Sequence, residues 1–281
     1  MDSNVDALPA ETRIGRTALG ASNLGEMVEF YRDVVGLGVL DRTDATAVLG
    51  VDGTPLLVLD RDSDAGRRDP SRAGLFHTAF RVPSRGALGD ALARIRDRAR
   101  LDGASDHGVS EALYLTDPEG NGVEIYRDFP RAEWPRSADG GVRMGTYRLH
   151  LDPLAAAATG ESAAPPGTDV GHVHLEVTSL DAFEEFYVDR LGFERQAAVP
   201  DALFVSAGGY HHHVGANTWN GRSEPTGDGG LSWFEVVVPQ ARALDAIRDR
   251  LSASQYAMAE TDDGVAVTGP DDIEVRFRVE T

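Results

Sequence analysis

Apolar and polar residues alternate along this chain in two ways, one typical of half-buried strands and one typical of amphipathic helices. The run 173–177 alternates with the period of two that a strand requires. The segment that follows such a strand carries apolar residues at helical spacing, and Ser22, Ser84 and Ser179 stand just before these segments, where N-caps belong. The stripe of the first predicted helix is formed by Leu24, Met27, Val28, Tyr31 and Val35.

Short β-rich runs follow each predicted helix. They lie at 47–51, 56–59, 112–115, 123–126, 202–206, 212–216, 265–268 and 273–279. With the opening strand and the helix, these runs predict a unit of one strand, one helix and about three further strands, present four times along the chain.

The chain also repeats itself at a fixed spacing. The segment 14–16 (Ile-Gly-Arg) recurs as 170–172 (Val-Gly-His), and the segment 74–77 recurs as 230–233, both with an offset of 156 residues. Two different patterns that share one offset indicate a duplicated domain.

The repeat places the domain boundaries. We predict an N-terminal domain over 10–128 and a C-terminal domain over 168–281, joined by a linker over 129–167 that is rich in Pro, Ala and Gly. The middle of the linker, 147–154, is apolar enough to pack against another part of the chain.

Composition and charge narrow the function. The 281 residues include no Cys, so a metal must be held by His, Asp, Glu or water. The net charge of −19 opposes binding to nucleic acid or to an anionic membrane surface. Assembly into a homo-oligomer is compatible with this charge. All 27 basic residues are Arg, and an acidic, Lys-free surface suits a halophilic protein that works in concentrated salt. Residues 1–16 lack the apolar core of a signal peptide, so we expect a cytoplasmic protein.

Histidine is concentrated in two short clusters, His172 with His174 and His211 with His212 and His213. Both clusters fall on predicted strands, where side chains alternate between the two faces. His172 and His174 therefore share a face, and so do His211 and His213, while His212 is expected to point away. Outside the clusters, we expect His107 to lie in a loop and His150 to be structural.

Several motifs resemble those of the vicinal-oxygen-chelate superfamily, which includes extradiol dioxygenases, glyoxalase I and bleomycin-binding proteins. They are the segments 170–172 and 186–193, the endings 117–124 and 269–274, and the run 208–213 that leads into Asn217-Thr218-Trp219. The resemblance implies an α+β fold of four βαβββ modules, paired into two domains, with metal ligands on the first and last strands of the modules. The run 208–219 is most similar to the two-domain catechol 2,3-dioxygenase-like branch.

Carried across to this sequence, the resemblance implies one metal site, in the C-terminal half. Its ligands would be His172, His213 and Glu274, with His211 as the alternative to His213. The offset places Arg16 and Leu57 opposite the two histidines in the N-terminal half, which we therefore expect to have lost its metal. In that half, His77 is expected to be a hydrogen-bonded core residue and Glu124 to pair with Arg16.

Two imidazoles and one carboxylate suit non-haem Fe(II), and Mn(II) would fit similarly. The resemblance therefore implies extradiol cleavage of a small aromatic diol with O2. His174 or His211 would be the acid–base residue, Tyr256 would donate a hydrogen bond, and Trp233 would form part of the pocket wall.

Two alternatives remain at this point. A glyoxalase-like isomerase or lyase is disfavoured because that family uses four protein ligands and Trp233 stands where a further His would be expected. A protein of the same fold that binds a small molecule without catalysis would need neither metal nor O2.

Overall fold

The computed structural model describes residues 7–62, 69, 71–137, 141–227 and 229–280. The described chain is α+β and contains the four predicted βαβββ modules, as the sequence pattern indicates. The first module consists of β1 (Arg13–Ala21), α1 (Leu24–Phe30), β2 (Gly38–Arg42), β3 (Thr46–Val51) and β4 (Thr54–Arg61). The second consists of β5 (Gly74–Arg81), α2 (Arg85–Arg98), β6 (Gly103–Asp106), β7 (Ser110–Thr116) and β8 (Gly122–Asp128).

The connection between the halves adds β9 (Tyr147–Arg148) and α3 (Leu151–Ala155). The third module consists of β10 (Asp169–Glu176), α4 (Leu180–Glu184), β11 (Glu194–Val199), β12 (Ala202–Ser206) and β13 (Val214–Asn217). The fourth consists of β14 (Gly230–Val238), α5 (Ala241–Ser252), β15 (Met258–Thr261), β16 (Gly264–Thr268) and β17 (Glu274–Val279). Short π-helical turns, Tyr31–Val35 and Glu185–Arg190, extend α1 and α4.

Two of the three predicted N-caps are confirmed. The side chains of Ser84 and Ser179 each accept a hydrogen bond from the backbone N–H three residues later, at 3.1 and 3.2 Å. Ser22 is not the cap of α1, because Asn23 accepts the bond from the first turn. Ser22 instead donates its hydroxyl to Glu119 at 3.0 Å, which ties the start of α1 to the second module.

The modules pair across the two halves of the chain. One sheet has the order β15-β16-β17-β14-β1-β4-β3-β2 and joins the first module to the fourth. The other has the order β11-β12-β13-β10-β5-β8-β7-β6-β9 and joins the second module to the third. The expectation that 10–128 and 168–281 each form a domain of their own is corrected by this topology. The physical reason is that the four opening strands are alike in pattern, so the sequence does not say which of them pair.

The predicted linker is a packed part of the fold. Strand β9 pairs with β6 at the edge of the nine-stranded sheet, and α3 packs against α2. Leu149 and Leu154 are buried, as the apolar character of the segment indicates. Asp90 on α2 accepts hydrogen bonds from both the N–H and the hydroxyl of Thr159. These bonds hold the segment that follows α3 against α2.

The nine-stranded sheet separates an apolar face from a polar one. On β10, Val173 and Leu175 belong to the main hydrophobic core. His172 and His174 alternate with them along the strand and face the other side of the sheet. The helices pack on the apolar faces, with α2 against β8 and α5 against β14 and β17. The polar face of the nine-stranded sheet is therefore free to line a site. No described helix is long and apolar enough to cross a membrane.

Candidate metal centre

Three side chains from the second and third modules converge on the polar face of the nine-stranded sheet. His77 lies on β5, Glu124 on β8 and His172 on β10, and all three are buried. Glu124 Oε2 is 3.0 Å from His77 Nε2 and 3.2 Å from His172 Nε2. Strand register explains the convergence, because Glu124 and His172 are the two cross-strand neighbours of Ala79, whose methyl group leaves space above it.

The arrangement fits a bound cation. Neighbouring ligands of an ion with bonds of about 2.1 Å lie about 3 Å apart, which is close to the observed separations. His77 Nε2 lies 3.0 Å from Glu124 Oε2 but is not aligned for a hydrogen bond with it, and His172 Nδ1 is buried without a hydrogen-bond partner among the described residues. Buried polar atoms are rarely left unsatisfied, and an ion that binds here would satisfy His77 Nε2.

The protonation states also favour a metal. Burial lowers the pKa of His172 to about 4, so its ring is neutral near pH 7. Burial by itself raises the pKa of Glu124, but the adjacent His172 and His77 outweigh it and hold this pKa well below its usual range. A neutral imidazole and an ionised carboxylate are the forms that coordinate metals.

A chain of hydrogen bonds runs from Asp128 to His212. Asp128 Oδ1 is 3.0 Å from His211 Nε2, and His211 Nδ1 is 2.8 Å from His212 Nδ1. Burial raises the pKa of Asp128, but the His211 hydrogen bond and the charge of Arg81 lower it to a net value below the usual range. The ionised carboxylate only accepts, so His211 Nε2 carries a proton.

The tautomer of His212 follows from this chain. With one proton on each ring, His211 Nδ1 accepts and His212 Nδ1 donates, which leaves His212 Nε2 unprotonated. Burial holds the pKa of His212 well below its usual value. Its Nε2 is buried and has no hydrogen-bond partner within the described parts of the chain, and its ring centroid lies 4.1 Å from that of His172. The prediction that His212 points away is wrong, because 211–213 is an irregular turn before β13, where strand alternation does not apply.

His213 and His174 take other roles than those predicted. His213 Nδ1 accepts a hydrogen bond from the backbone N–H of Ala207 at 3.1 Å, and its ring stacks on Tyr210. His174 Nε2 is 3.1 Å from Asn217 Nδ2, which donates to it. His174 lines the cavity beside the cluster, whereas His213 is a structural residue of the turn.

The remaining predicted site residues lie in the eight-stranded sheet or near it. Glu274 forms an ion pair with Arg276 at 2.7 Å. Trp233 is the cross-strand neighbour of Glu274, and the guanidinium of Arg276 lies over the Trp233 ring. Among the described residues, the groups able to hold a metal include neither Glu274 nor His213. Tyr256 packs against Phe186, away from the cavity.

The predicted pair of Arg16 with Glu124 does not form. Arg16 instead donates to Glu235 at 2.7 Å, in the eight-stranded sheet. Glu124 faces His77 and His172 instead.

A cavity of about 420 Å³ opens beside the three converging side chains. Tyr114 lines this cavity, and its hydroxyl is 2.7 Å from His107 Nε2. His107 Nδ1 in turn donates a hydrogen bond to the carbonyl oxygen of Gly145 at 2.7 Å. His107 lies in a turn, as predicted, but faces the cavity. Met144, Gly145 and Thr146 of the connection between the halves also line the cavity, so this segment closes one side of the site.

A second internal repeat could have identified the cluster. With an offset of 95 residues, His77 matches His172, and the N-cap Ser84 matches the N-cap Ser179. The register agrees, since Thr78 and Val173 pair with each other at the centre of the β5–β10 contact. The second and third modules are therefore related by a local twofold axis.

That twofold relation identifies the counterpart of Glu124. Ala79 pairs with Glu124 on β8, and its equivalent His174 pairs with Gly215 on β13. A Cβ atom at Gly215 would lie 3.2 Å from the ring of His174, so the imidazole occupies this space. The site thus has one carboxylate where full symmetry would give two.

Comparison with known proteins gives consistent results. The model of the Glyoxalase/Bleomycin resistance protein/Dioxygenase superfamily matches residues 13–125. A catechol-2,3-dioxygenase of Bacillus subtilis (strain 168) is 40% identical over 269 residues, which are 92% of this chain and 94% of that protein. A biphenyl-2,3-diol 1,2-dioxygenase of Rhodococcus globerulus is 33% identical over 120 residues, 41% of this chain and 63% of that protein. Glyoxalase I of Zea mays shares the fold, with a TM-score of 0.60, 13% identity and coverage of 96% of this chain and 92% of that one.

Proposed function

Because this chain belongs to the glyoxalase/bleomycin resistance protein/dioxygenase superfamily and is a dioxygenase-like enzyme within it, we propose that it cleaves the ring of a catechol with O2, next to the pair of hydroxyl groups. The observation that carries the proposal is the cluster of His77, Glu124 and His172. Two imidazoles and one carboxylate, with positions left open, are typical of non-haem Fe(II) oxygenases.

The three ligands would hold Fe(II), or Mn(II) in its place. When bound, the metal supplies Lewis-acid activation of the two vicinal oxygens and a position for O2. The cluster brings two imidazole nitrogens and one carboxylate oxygen close together, all of them buried, and such a set is typical of a metal site. This favours a metalloenzyme over a protein of the same fold that binds a small molecule without catalysis.

His212 is the candidate acid–base residue. Its Nε2 is unprotonated in the tautomer that Asp128 and His211 impose, and the ring lines the cavity next to His172. It can accept a proton from a catechol hydroxyl and pass its Nδ1 proton to His211, whose positive charge Asp128 then stabilises. His174 and His211, the residues predicted for this role, are held by Asn217 and Asp128.

Gly215 favours this function over that of a glyoxalase-like isomerase. That activity uses four protein ligands, and the structural counterpart of Glu124 would be the natural fourth one. A glycine has no side chain to offer, so the metal would keep positions for both oxygens of a diol and for O2.

The proposal is tested by loading the protein with Fe(II) without oxygen and then adding air and catechol. We expect oxygen consumption to match the amount of a coloured ring-opened product. The hemithioacetal of methylglyoxal and glutathione serves as the control substrate and should not turn over. Isomerisation of the hemithioacetal without oxygen uptake on any catechol would overturn the proposal.

A further inference from the structure

The described lining of the cavity contains neither Arg nor Lys. The nearby Arg81 already pairs with Asp128 and Asp169. A substrate carboxylate that entered would lose water without gaining an Arg or Lys partner, which is costly in a buried site.

The overall charge of the chain acts in the same direction. A net charge of −19 repels an anionic substituent.

One wall of the cavity is apolar from the metal ligands to the surface. The Phe76 ring lies 5.2 Å from that of His77 and 5.5 Å from that of Trp219, measured between centroids. Phe204 stands beside the same wall, 5.6 Å from the ring of His174. Trp219 is 52% exposed and Val199 54% exposed, so the wall ends at the mouth of the cavity.

The size of the cavity leaves room beyond the ring. A volume of about 420 Å³ is within the range of cavities that hold drug-sized ligands, about 300–1,000 Å³, and exceeds what an unsubstituted dihydroxybenzene fills. With the two hydroxyl groups at the metal ligands, the far side of the ring points along the apolar wall.

We infer that the substrate is a catechol with an uncharged apolar substituent, which lies against Phe76 and Trp219, and that catechols with a carboxylate are excluded. This inference rests on the proposed function, and it assigns Val199 and Trp219 as residues that determine specificity.

The first measurement compares kcat/KM for catechol, 4-butylcatechol and 3,4-dihydroxybenzoate. Since each buried methylene group adds several-fold to binding, we expect 4-butylcatechol to exceed catechol by about tenfold or more. The carboxylated compound should fall below catechol by about 100-fold, as expected for a buried charge without a partner. Equal values for the three compounds, or a preference for the carboxylate, would overturn the inference.

Two variants test the assigned residues. Trp219→Ala should reduce the ratio of 4-butylcatechol to catechol, because it removes the apolar surface at the mouth. Val199→Arg should raise kcat/KM for 3,4-dihydroxybenzoate by at least tenfold relative to 4-butylcatechol, a change typical of one new charge partner. Val39→Arg is the matched control, since Val39 is 40% exposed on the edge strand β2 and lies far from the cavity. It should leave both ratios unchanged.

Calorimetric titration of the three compounds into metal-loaded protein without oxygen separates this inference from the proposed function. If no compound is cleaved but 4-butylcatechol binds most tightly and Trp219→Ala removes that preference, the dioxygenase proposal fails and the specificity stands. If catechols are cleaved but the affinities and kcat/KM values do not depend on the substituent or on Trp219, the specificity inference fails alone.

Discussion

The Nε2 atom of His77 and the Oε2 atom of Glu124 lie 3.0 Å apart, on the parallel neighbouring strands β5 and β8. Replacing either residue by Ala removes one of the three proposed protein ligands. We expect metal affinity to fall by more than the roughly 10- to 100-fold that is typical of residues outside the ligand set, and ring cleavage to be lost with it. Metal analysis after anaerobic reconstitution with Fe(II) checks this.

Glu274→Ala and His213→Ala are the matched controls for that experiment. Each removes a carboxylate or an imidazole of the same kind, but neither belongs to the metal-binding groups of the described chain. Both should keep about one metal per chain. Loss of metal from Glu274→Ala with retention in Glu124→Ala would place the site in the other sheet.

Asp128→Asn should slow turnover without releasing the metal. The amide no longer stabilises a charged His211, so His212 becomes a weaker proton acceptor, and we expect kcat to fall by about 10- to 100-fold. Asp169→Asn is the control, because Asp169 is the other carboxylate bound to Arg81 but does not contact His211. An equal loss in both variants would mean that Asp128 acts only by holding Arg81.

Glu111 should contribute to stability in a pH-dependent way. It is buried on β7 and accepts hydrogen bonds from Arg85 and Arg127. Burial raises the pKa of Glu111, but the two arginines lower it to a net value below its usual one, so the stabilisation is present at neutral pH and is lost as pH falls through the lowered pKa.

Glu111→Gln should therefore lower the free energy of unfolding at pH 7 by about 1–3 kcal/mol, as is typical of hydrogen bonds between charged groups. Denaturant unfolding at pH 7 and at successively more acid pH should show the difference from wild type shrinking. A difference that grows on acidification would contradict the ion-pair explanation.

The excess of acidic residues predicts a dependence on salt. With a net charge of −19, like charges on the protein repel each other until ions screen them. At 1 M salt, the distance over which exposed charges interact falls to about 3 Å. We expect the melting temperature to rise from low to molar KCl. A melting temperature that stays constant or falls with salt would contradict the halophilic interpretation. Sucrose at equal osmolarity is the control for effects that do not depend on charge.

Strand and helix patterns in the sequence predict the modules well but not their pairing. Ser84 and Ser179 mark the starts of their helices because side-chain capping is a local interaction. Pairing of β5 with β10 is decided by contacts between distant segments, and every module opens with a similar apolar strand. The sequence pattern is equally compatible with pairing inside each half.

The difference between the predicted ligand set and the proposed one has the same origin. Once the halves are assumed to be separate, His77 and Glu124 are two isolated ligands, and Glu274 is the nearest carboxylate for His172. The turn after Gly208 and Gly209, both with positive φ, adds a second difference, because strand alternation does not apply to 211–213. His172 stays a proposed ligand under either pairing, because its place on β10 needs neither assumption.

The pairing of the modules determines which sheet can close first during synthesis. The second and third modules are consecutive, so the sheet that holds His77, Glu124 and His172 can close once β13 has emerged at residue 217. Strand β1 has to wait for β14, since Gly20 pairs with Gly230 across almost the whole chain. Contacts between such distant segments form slowly, and unpaired strand edges favour association. We therefore expect the nascent chain to assemble its metal ligands before its first strand is covered, and β1 to be the segment most in need of protection during synthesis.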